Sequence, residues 1–390
     1  MMSVAPAPGN PRRRTSPTLW THFDPILALA VILIGAFGTL MVYTATRVEL
    51  QADGLSPEYY LKKQAIFMVI GVVVMLAVAA VDYRRYRDLA PVFYGGALFL
   101  LLAVYVVGHK SKGAQAWFQF GSYQLEPSEF AKIALIIALA AYAANFKGRL
   151  PLRALIVILV LAAVPFALIY KQPDLGTALV LGAVLVAMLV VGGSRGRHLA
   201  VLLLLVVVGM FGVVHFGVLK QYQEDRLTSF VSSPDEPNAA LLATEAGQNQ
   251  YNIAESKLAI SNGGIAGKGI GGGTQTNLAY VPEQRTDFIF TAVGEQVGLI
   301  GSAALLLLFV VVVWRIWRAA ILSRDLVGTL FCIGVLAMLV FQVFENVGMT
   351  MGIMPIAGIP LPFMSYGGSA VIASFAGIGL VLNVRMRRFT

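Results

Sequence analysis

Residues 288–313 read FIFTAVGEQVGLIGSAALLLLFVVVV, and this stretch decides the class of fold. A bilayer-crossing helix needs about 20 mostly apolar residues. This run supplies them, with Glu295 as its one charged side chain. Working outward, nine further stretches have the same character: 25–45, 64–81, 90–107, 130–145, 154–170, 176–193, 199–218, 326–346 and 367–384. The expectation is an all-α polytopic membrane protein of ten transmembrane helices. A large extracytoplasmic loop, 219–287, joins helices seven and eight.

Composition agrees. Apolar residues make up 58% of the 390 and charged residues 13%, against about 25% charged in soluble domains. The net charge of +9 suggests nucleic acid until the charges are placed. They cluster at the ends of the apolar runs, which is a topology signal and argues against a nucleic-acid partner. Seventeen of the 29 basic residues fall on the side of the N-terminus, among them Arg12–Arg14, Arg84, Arg85, Arg87, Lys147, Arg149 and Arg153. Seven fall in the short loops opposite. That bias predicts both termini in the cytoplasm. Residues 1–24 read as a cytoplasmic tail, 25–386 as the membrane domain and 387–390 as a cytoplasmic end. The tail lacks the apolar core and cleavage site of a signal peptide. Cys332 is the sole cysteine and forms no internal bridge. Of the 20 acids, 16 lie outside or within spans, which puts any chemistry at the outer face.

Two outer loops are too long for plain connectors, 108–129 and 219–287. In the second, Tyr251, Ala254 and Leu258 are at helical spacing and suggest an amphipathic helix over 248–261. Residues 263–273, GGIAGKGIGGG, follow. Gly267, Gly269 and Gly272 match a dinucleotide fingerprint in spacing, but no strand precedes them. Two readings stay open: a mobile hinge, or backbone amides approaching a sugar or phosphate.

Several polar residues could carry chemistry. Asp287 opens the eighth span, where an acid in the first turn is worth about 0.3–1 kcal/mol to the helix. A carboxylate at a cavity mouth could instead take a proton from a hydroxyl. Glu295 lies two turns deeper, where a charge costs roughly 2.5–3.5 kcal/mol, so it should face a cavity or a partner. Gln342, Glu345 and Asn346 form a second polar patch, equally explained by hydrogen bonds between helices. Glu129 and Lys132 are close enough to pair on one helix face. Asp174 sits in a short turn with Pro173 and Gly176 and could cap the sixth span. In 352–370, GIMPIAGIPLPFMSYGGSA, three prolines break the helix at membrane depth. Such backbone is tolerated only when buried in protein or lining a cavity. Ser365, Tyr366, Gly367 and Gly368 then open the last span, and a helix start suits an anion. The histidines His22, His109, His198 and His215 have no metal spacing, and no Ser/His/Asp set appears on the outer face.

Six motifs together carry a resemblance: GAQAW (113–117), EPSEFAK (126–132), QPDLGTA (172–178), SNGGIAGKGIGGGTQ (261–275), PEQRTDFIF (282–290) and GIPLPFMSYGGSA (358–370). In order and placement they resemble the SEDS family (shape, elongation, division and sporulation), in its elongation branch, over the chain after about residue 24. The resemblance implies a peptidoglycan glycosyltransferase of the bacterial inner membrane. It would polymerise lipid II at the outer face and work with a class B penicillin-binding protein and other elongation-complex membrane proteins. It implies Asp287 as the essential carboxylate, with Glu129, Lys132 and Asp174 important in the outer cavity. Charge and location assign Lys132 and Arg285 to the diphosphate. A divalent cation, Mg2+ or Mn2+, bridging Asp287 to diphosphate is compatible with this and demonstrated by no ligand cluster. The sequence departs from the family pattern at Ala116, Glu126 and Arg285. The rival readings are a flippase for lipid-linked sugar and a scaffold for the crosslinking enzyme.

Overall fold

The computed structural model describes residues 22–111, 114–146, 148–215 and 245–388. Much of the N-terminal tail, the first part of the long loop and the last two residues lie outside them. The helices are α1 (Pro25–Ala52), α2 (Tyr59–Ala80), α3 (Tyr83–Asp88), α4 (Ala90–Val107), α5 (Pro127–Ala143), α6 (Leu152–Lys171), α7 (Leu175–Val191) and α8 (Gly196–His215). They continue as α9 (Glu245–Gly263), α10 (Thr274–Asn277), α11 (Ile289–Ile321), α12 (Leu326–Thr350) and α13 (Gly368–Met386). Among the described residues, seven are long and apolar enough to cross a membrane: α1, α2, α4, α6, α11, α12 and α13. Helices also occupy the other three apolar segments, as α5 and α7 with 17 residues each and α8 with 20.

Local signals set the ends. Asp24 accepts from Leu27 N at 3.2 Å and Pro25 opens α1, since proline at the first helical position loses no hydrogen bond. Asp325 caps α12 through Gly328 N at 2.9 Å, and Asp174 caps α7 through Thr177 N at 2.9 Å. Each side-chain oxygen satisfies an amide that the helix itself cannot.

Helix α13 is the most enclosed span, packed along α2. A Cβ at Gly379 would lie 2.7 Å from Met75 O, so only glycine permits this approach. Small residues at interfaces let helices meet closely where water gives no driving force between them. At the Asp24 end the bundle is locked by charge. Arg315 donates to both Asp24 oxygens, at 2.8 and 2.5 Å, and Arg385 pairs with the same carboxylate. Asn383 and Arg387 bond the last carbonyls of α2, including Val78 O at 2.6 Å and Ala79 O at 2.9 Å.

The 108–129 loop folds as a small antiparallel sheet, β1 (His109–Ser111), β2 (Ala114–Phe120) and β3 (Tyr123–Leu125). Phe118 faces Leu125 and Phe120 faces Tyr123 across the β2–β3 turn.

The glycine-rich stretch packs against a break in a membrane-spanning helix. Helix α11 breaks at Gly298 (φ 63°), and residues 264–269 pack against the break. Lys268 N and Gly269 N donate to Glu295 O and Gln296 O, both at 3.0 Å. Leu299 N and Ile300 N donate to Gly264 O and Ile265 O, at 2.9 and 3.1 Å. A broken helix at membrane depth must find partners for its freed groups, and this loop supplies them. A Cβ at Gly298 would lie 2.3 Å from Gly267 N, so the glycines serve close approach.

Helix α9 covers the expected amphipathic segment, but turned. Ile253, Ser256 and Ala259 are buried while Ala254 and Leu258 face outward. The cause is small-residue packing. Gly263 sits where a Cβ would meet Gly294 O at 2.0 Å, and Ser256 Oγ donates to Thr350 O at 2.7 Å.

Candidate active site

The end of the bundle opposite Asp24 gathers the motif residues around one segment, 351–367, which joins α12 to α13. Its turn is held by Ser365, whose Oγ accepts from Leu361 N at 2.8 Å, with Phe363 left-handed at φ 65°. Gln64 Nε2 donates to Ser365 O at 3.1 Å. Ser365 is therefore a buried turn residue, and its hydroxyl is committed to the backbone.

Asp287 lies on one side of this segment. The turn before α11 carries it: Thr286 N, Asp287 N and Phe288 N all point to Glu283 O, at 3.1, 3.2 and 3.3 Å. Asn346 Nδ2 donates to Asp287 O at 2.7 Å and to Ile359 O at 2.8 Å. The side chain is half-buried. A Cβ on Gly358 (φ 69°) would lie 3.4 Å from Asp287 Oδ2, so the carboxylate lies against bare backbone.

Asp174 caps the helix that packs next to this segment. A Cβ at Gly176 would lie 2.6 Å from Ala357 O, which seats the α7 N-terminus against the same segment. Asp174 Oδ1 caps α7, while Oδ2 is buried with no hydrogen-bond partner. Glu126 is close enough to feel Asp174 and Glu129. Trp117 Nε1 donates to Glu126 Oε2 at 3.1 Å and Ser128 Oγ to Oε1 at 2.7 Å. Burial first, then the two carboxylates, push the Glu126 carboxyl above the usual glutamate range. Glu126 N donates to Ser369 Oγ at 2.8 Å, which ties this acidic group to the start of α13. Gly367 is the N-cap residue of α13, and Gly368 meets the Phe67 ring.

Glu129 and Lys132 form a buried ion pair at 2.7 Å, each side chain under 5% exposed. The pairing expected from their spacing is present, and it is sealed in protein. Glu295 is also fully employed. Its carboxylate accepts from Gln275 N at 2.8 Å, Thr276 N at 2.9 Å and Thr276 Oγ1 at 2.6 Å, with no exposure. This is the partner that its depth demanded, the N-terminus of α10. Glu295 thus props the loop that precedes Asp287.

Arg285 remains partly exposed. Its guanidinium lies 4.5 Å from the Tyr60 ring centroid and 3.9 Å from Glu49 Oε2, and its carbonyl accepts from Tyr366 N at 2.8 Å. Tyr60 meets Tyr366 edge-on at 4.9 Å. Lys63 Nζ donates to Tyr59 Oη at 2.6 Å and Ser122 O at 2.7 Å. The structure therefore brings Asp287 against Gly358 and the Asp174-capped start of α7 against Ala357, with Arg285 bonded through its carbonyl to Tyr366. Sequence reasoning missed Gly358, Tyr60 and Lys63. The tyrosine and lysine pairs in YYLKK (59–63), at a helix start, were the available signal.

Among the described residues, no three His, Cys, Asp or Glu side chains come together to hold a metal. Mg2+ commonly takes one or two carboxylates plus substrate phosphates, and Asp287 could supply one such oxygen.

A bundle of apolar helices with acids and cations gathered at one end defines a multi-pass membrane protein with a polar site at its rim. The FtsW/RodA/SpoVE family of cell cycle proteins matches residues 25–389, and the chain belongs to that family. It is 34% identical over 377 residues to the probable peptidoglycan glycosyltransferase FtsW of Geobacter metallireducens, covering 94% of this chain and 95% of the relative. It is 32% identical over 382 residues to the peptidoglycan glycosyltransferase MrdB of Escherichia coli, covering 97% of each. Among solved structures, a peptidoglycan synthase complex studied for coordination of polymerization and crosslinking contains a chain with TM-score 0.78 and 31% identity. That match covers 95% of this chain and 100% of the other. The rod shape determining protein RodA of Thermus thermophilus matches with TM-score 0.68 and 29% identity, over 95% of this chain and 99% of that one.

Proposed function

We propose that this chain is a peptidoglycan glycosyltransferase that polymerises lipid II into glycan strands during cell elongation. The observation that carries the mechanism is the placement of Asp287, clamped through its carbonyl by Asn346 with its carboxylate against Gly358. Asp287 acts as general base. The 4-hydroxyl of one sugar gives its proton to the carboxylate and attacks the anomeric carbon of another, whose bond to the diphosphate breaks. The leaving diphosphate carries the developing charge, and a fixed cation lowers that cost. Arg285, partly exposed and held over Tyr60, is the best-placed contact for it. Lys132, sealed against Glu129, acts from behind the surface by neutralising the acidic group around Glu126. Asp174 and Tyr366 line the two sides of the substrate path.

In this reading all ten apolar helices span the bacterial inner membrane, with both termini cytoplasmic and the 219–287 loop outside. The basic-residue bias supports it. The elongation branch is favoured by GIMPIAGIPLPF (352–363). A class B penicillin-binding protein would dock on the outer parts of α11 and α12, where Leu299, Ile300 and Phe344 are exposed.

The test is glycan polymerisation by the purified chain in detergent, with lipid II as sole substrate and the partner and divalent cation varied. Polymer without a sealed membrane supports the enzyme. No polymer under any combination overturns it in favour of a flippase or a scaffold.

A further inference from the structure

A second charged feature lies near the opposite end of the bundle, away from the motif residues. The α5–α6 and α7–α8 turns meet there through Leu150 N and Gly193 O, 3.1 Å apart. A Cβ at Gly193 (φ 88°) would lie 2.5 Å from Gly148 O, so the two turns touch backbone to backbone. They enclose an open cavity of about 580 Å³ lined by Arg149, Ser194, Arg195, Gly196 and Arg197. The three arginines are exposed, and Ser194 Oγ is buried without a hydrogen-bond partner. Among the described residues, no carboxylate lines the cavity. Between Glu129 and Glu224 the sequence holds one acid, Asp174, which caps the far end of α7. Gly196 also begins α8, a 20-residue helix whose first amides are oriented for an anion.

Apolar surface adjoins this cationic cup. Leu152 and Ile156 on α6, Val190 on α7, and Val201 and Leu204 on α8 are each about half exposed or more. Helix α8 packs little against the rest of the described bundle. A small free anion would use the cup alone. A molecule with an anionic head and hydrocarbon tails would use both surfaces.

We propose that this cup binds the phosphate-bearing headgroup of an anionic phospholipid, with the acyl chains lying along α6 and α8. In the orientation proposed above, the cup faces the inner leaflet, whose negative lipids attract basic segments at the membrane surface. The bound lipid bridges the two turns and braces α8 against α6.

The experiment uses the full chain, delipidated in detergent, with native mass spectrometry and thermal melting as readouts. Cardiolipin and phosphatidylglycerol should remain bound and raise the melting temperature, and phosphatidylethanolamine should not. The triple variant Arg149→Gln, Arg195→Gln, Arg197→Gln should bind anionic lipid roughly a hundredfold more weakly, from the loss of three surface cations. These side chains are exposed, so the lipid-free melting temperature should stay unchanged. The charge-keeping lysine triple variant should retain much of the binding. A matched variant at another arginine cluster, Arg84→Gln, Arg85→Gln, Arg87→Gln, should bind as the parent does. Equal loss in both glutamine variants, no loss in the first, or equal stabilisation by inorganic phosphate alone would each overturn the proposal.

Discussion

Asn346 holds two stretches of backbone with one amide group, donating to Asp287 O at 2.7 Å and to Ile359 O at 2.8 Å. The turn that carries the proposed base and the proline-rich segment beside it are thereby fixed to α12 and to each other. Asn346 is fully buried, and its bond to Ile359 O is enclosed in protein.

Asn346→Leu keeps the volume and removes both bonds. The buried Ile359 carbonyl loses its donor, at about 1–3 kcal/mol, and the part-buried Asp287 carbonyl loses its own at a smaller cost. The melting temperature should fall, and polymerisation per folded molecule should fall at least tenfold because Asp287 loses its anchor. Circular dichroism melts and a lipid II assay on the same preparation measure both. Normal turnover in the folded fraction would show that the clamp is structural only.

Gly358→Ala tests the space beside the carboxylate. The position is left-handed (φ 69°), and the added methyl would lie 3.4 Å from Asp287 Oδ2. The backbone cost is about 1–2 kcal/mol. The expected result is a modest loss of stability with a larger loss of kcat. Equal, small losses in both would place the carboxylate elsewhere during the reaction.

Lys132→Ala leaves Glu129 buried and alone. Breaking a buried pair by removing one partner costs about 3–5 kcal/mol. The double variant Lys132→Met, Glu129→Leu should recover much of that stability, since it leaves no orphan charge. If turnover stays low in the stable double variant, the lysine has an electrostatic role in the reaction. If it returns to the parental rate, the pair serves only the fold.

Glu126 gives a dependence on pH. Its folded-state pKa is raised, first by burial and then by Asp174 and Glu129. The folded state therefore holds a proton that the unfolded state has already lost. Its stabilising contribution is full below the ordinary glutamate pKa and is lost as pH rises through the higher folded value. Glu126→Gln should flatten that decline and raise the melting temperature at neutral pH relative to the parent. Parallel melting curves for parent and variant across pH 5 to 9 would remove this residue from the effect.

Much of this was legible in the sequence, and the rest had physical reasons to be hidden. The apolar runs marked the helices because a helix must bury its backbone bonds within itself. The Glu129–Lys132 pair followed from helical spacing, and the three prolines marked the irregular 351–367 segment. The break at Gly298 was not legible, because 288–313, apart from Glu295 and Gln296, reads as one apolar run. Its repair comes from residues about 30 positions earlier, brought back by a fold that no periodicity encodes. Glu295 was expected to face a cavity or a partner, and the amides of Gln275 and Thr276 that bind it leave no mark in composition. The small sheet over 109–125 was also missed, as two of its strands are three residues long.

The most direct measurement is polymerisation of purified lipid II by the Asp287→Asn variant, with melting temperature recorded on the same sample. Aspartate and asparagine match in size, and Asn346 binds the main-chain carbonyl, so the fold should persist with a near-parental melt. The account predicts glycan product at least a thousandfold below the parent, roughly the contribution of a positioned general base. Parental amounts of polymer from the folded variant would contradict it.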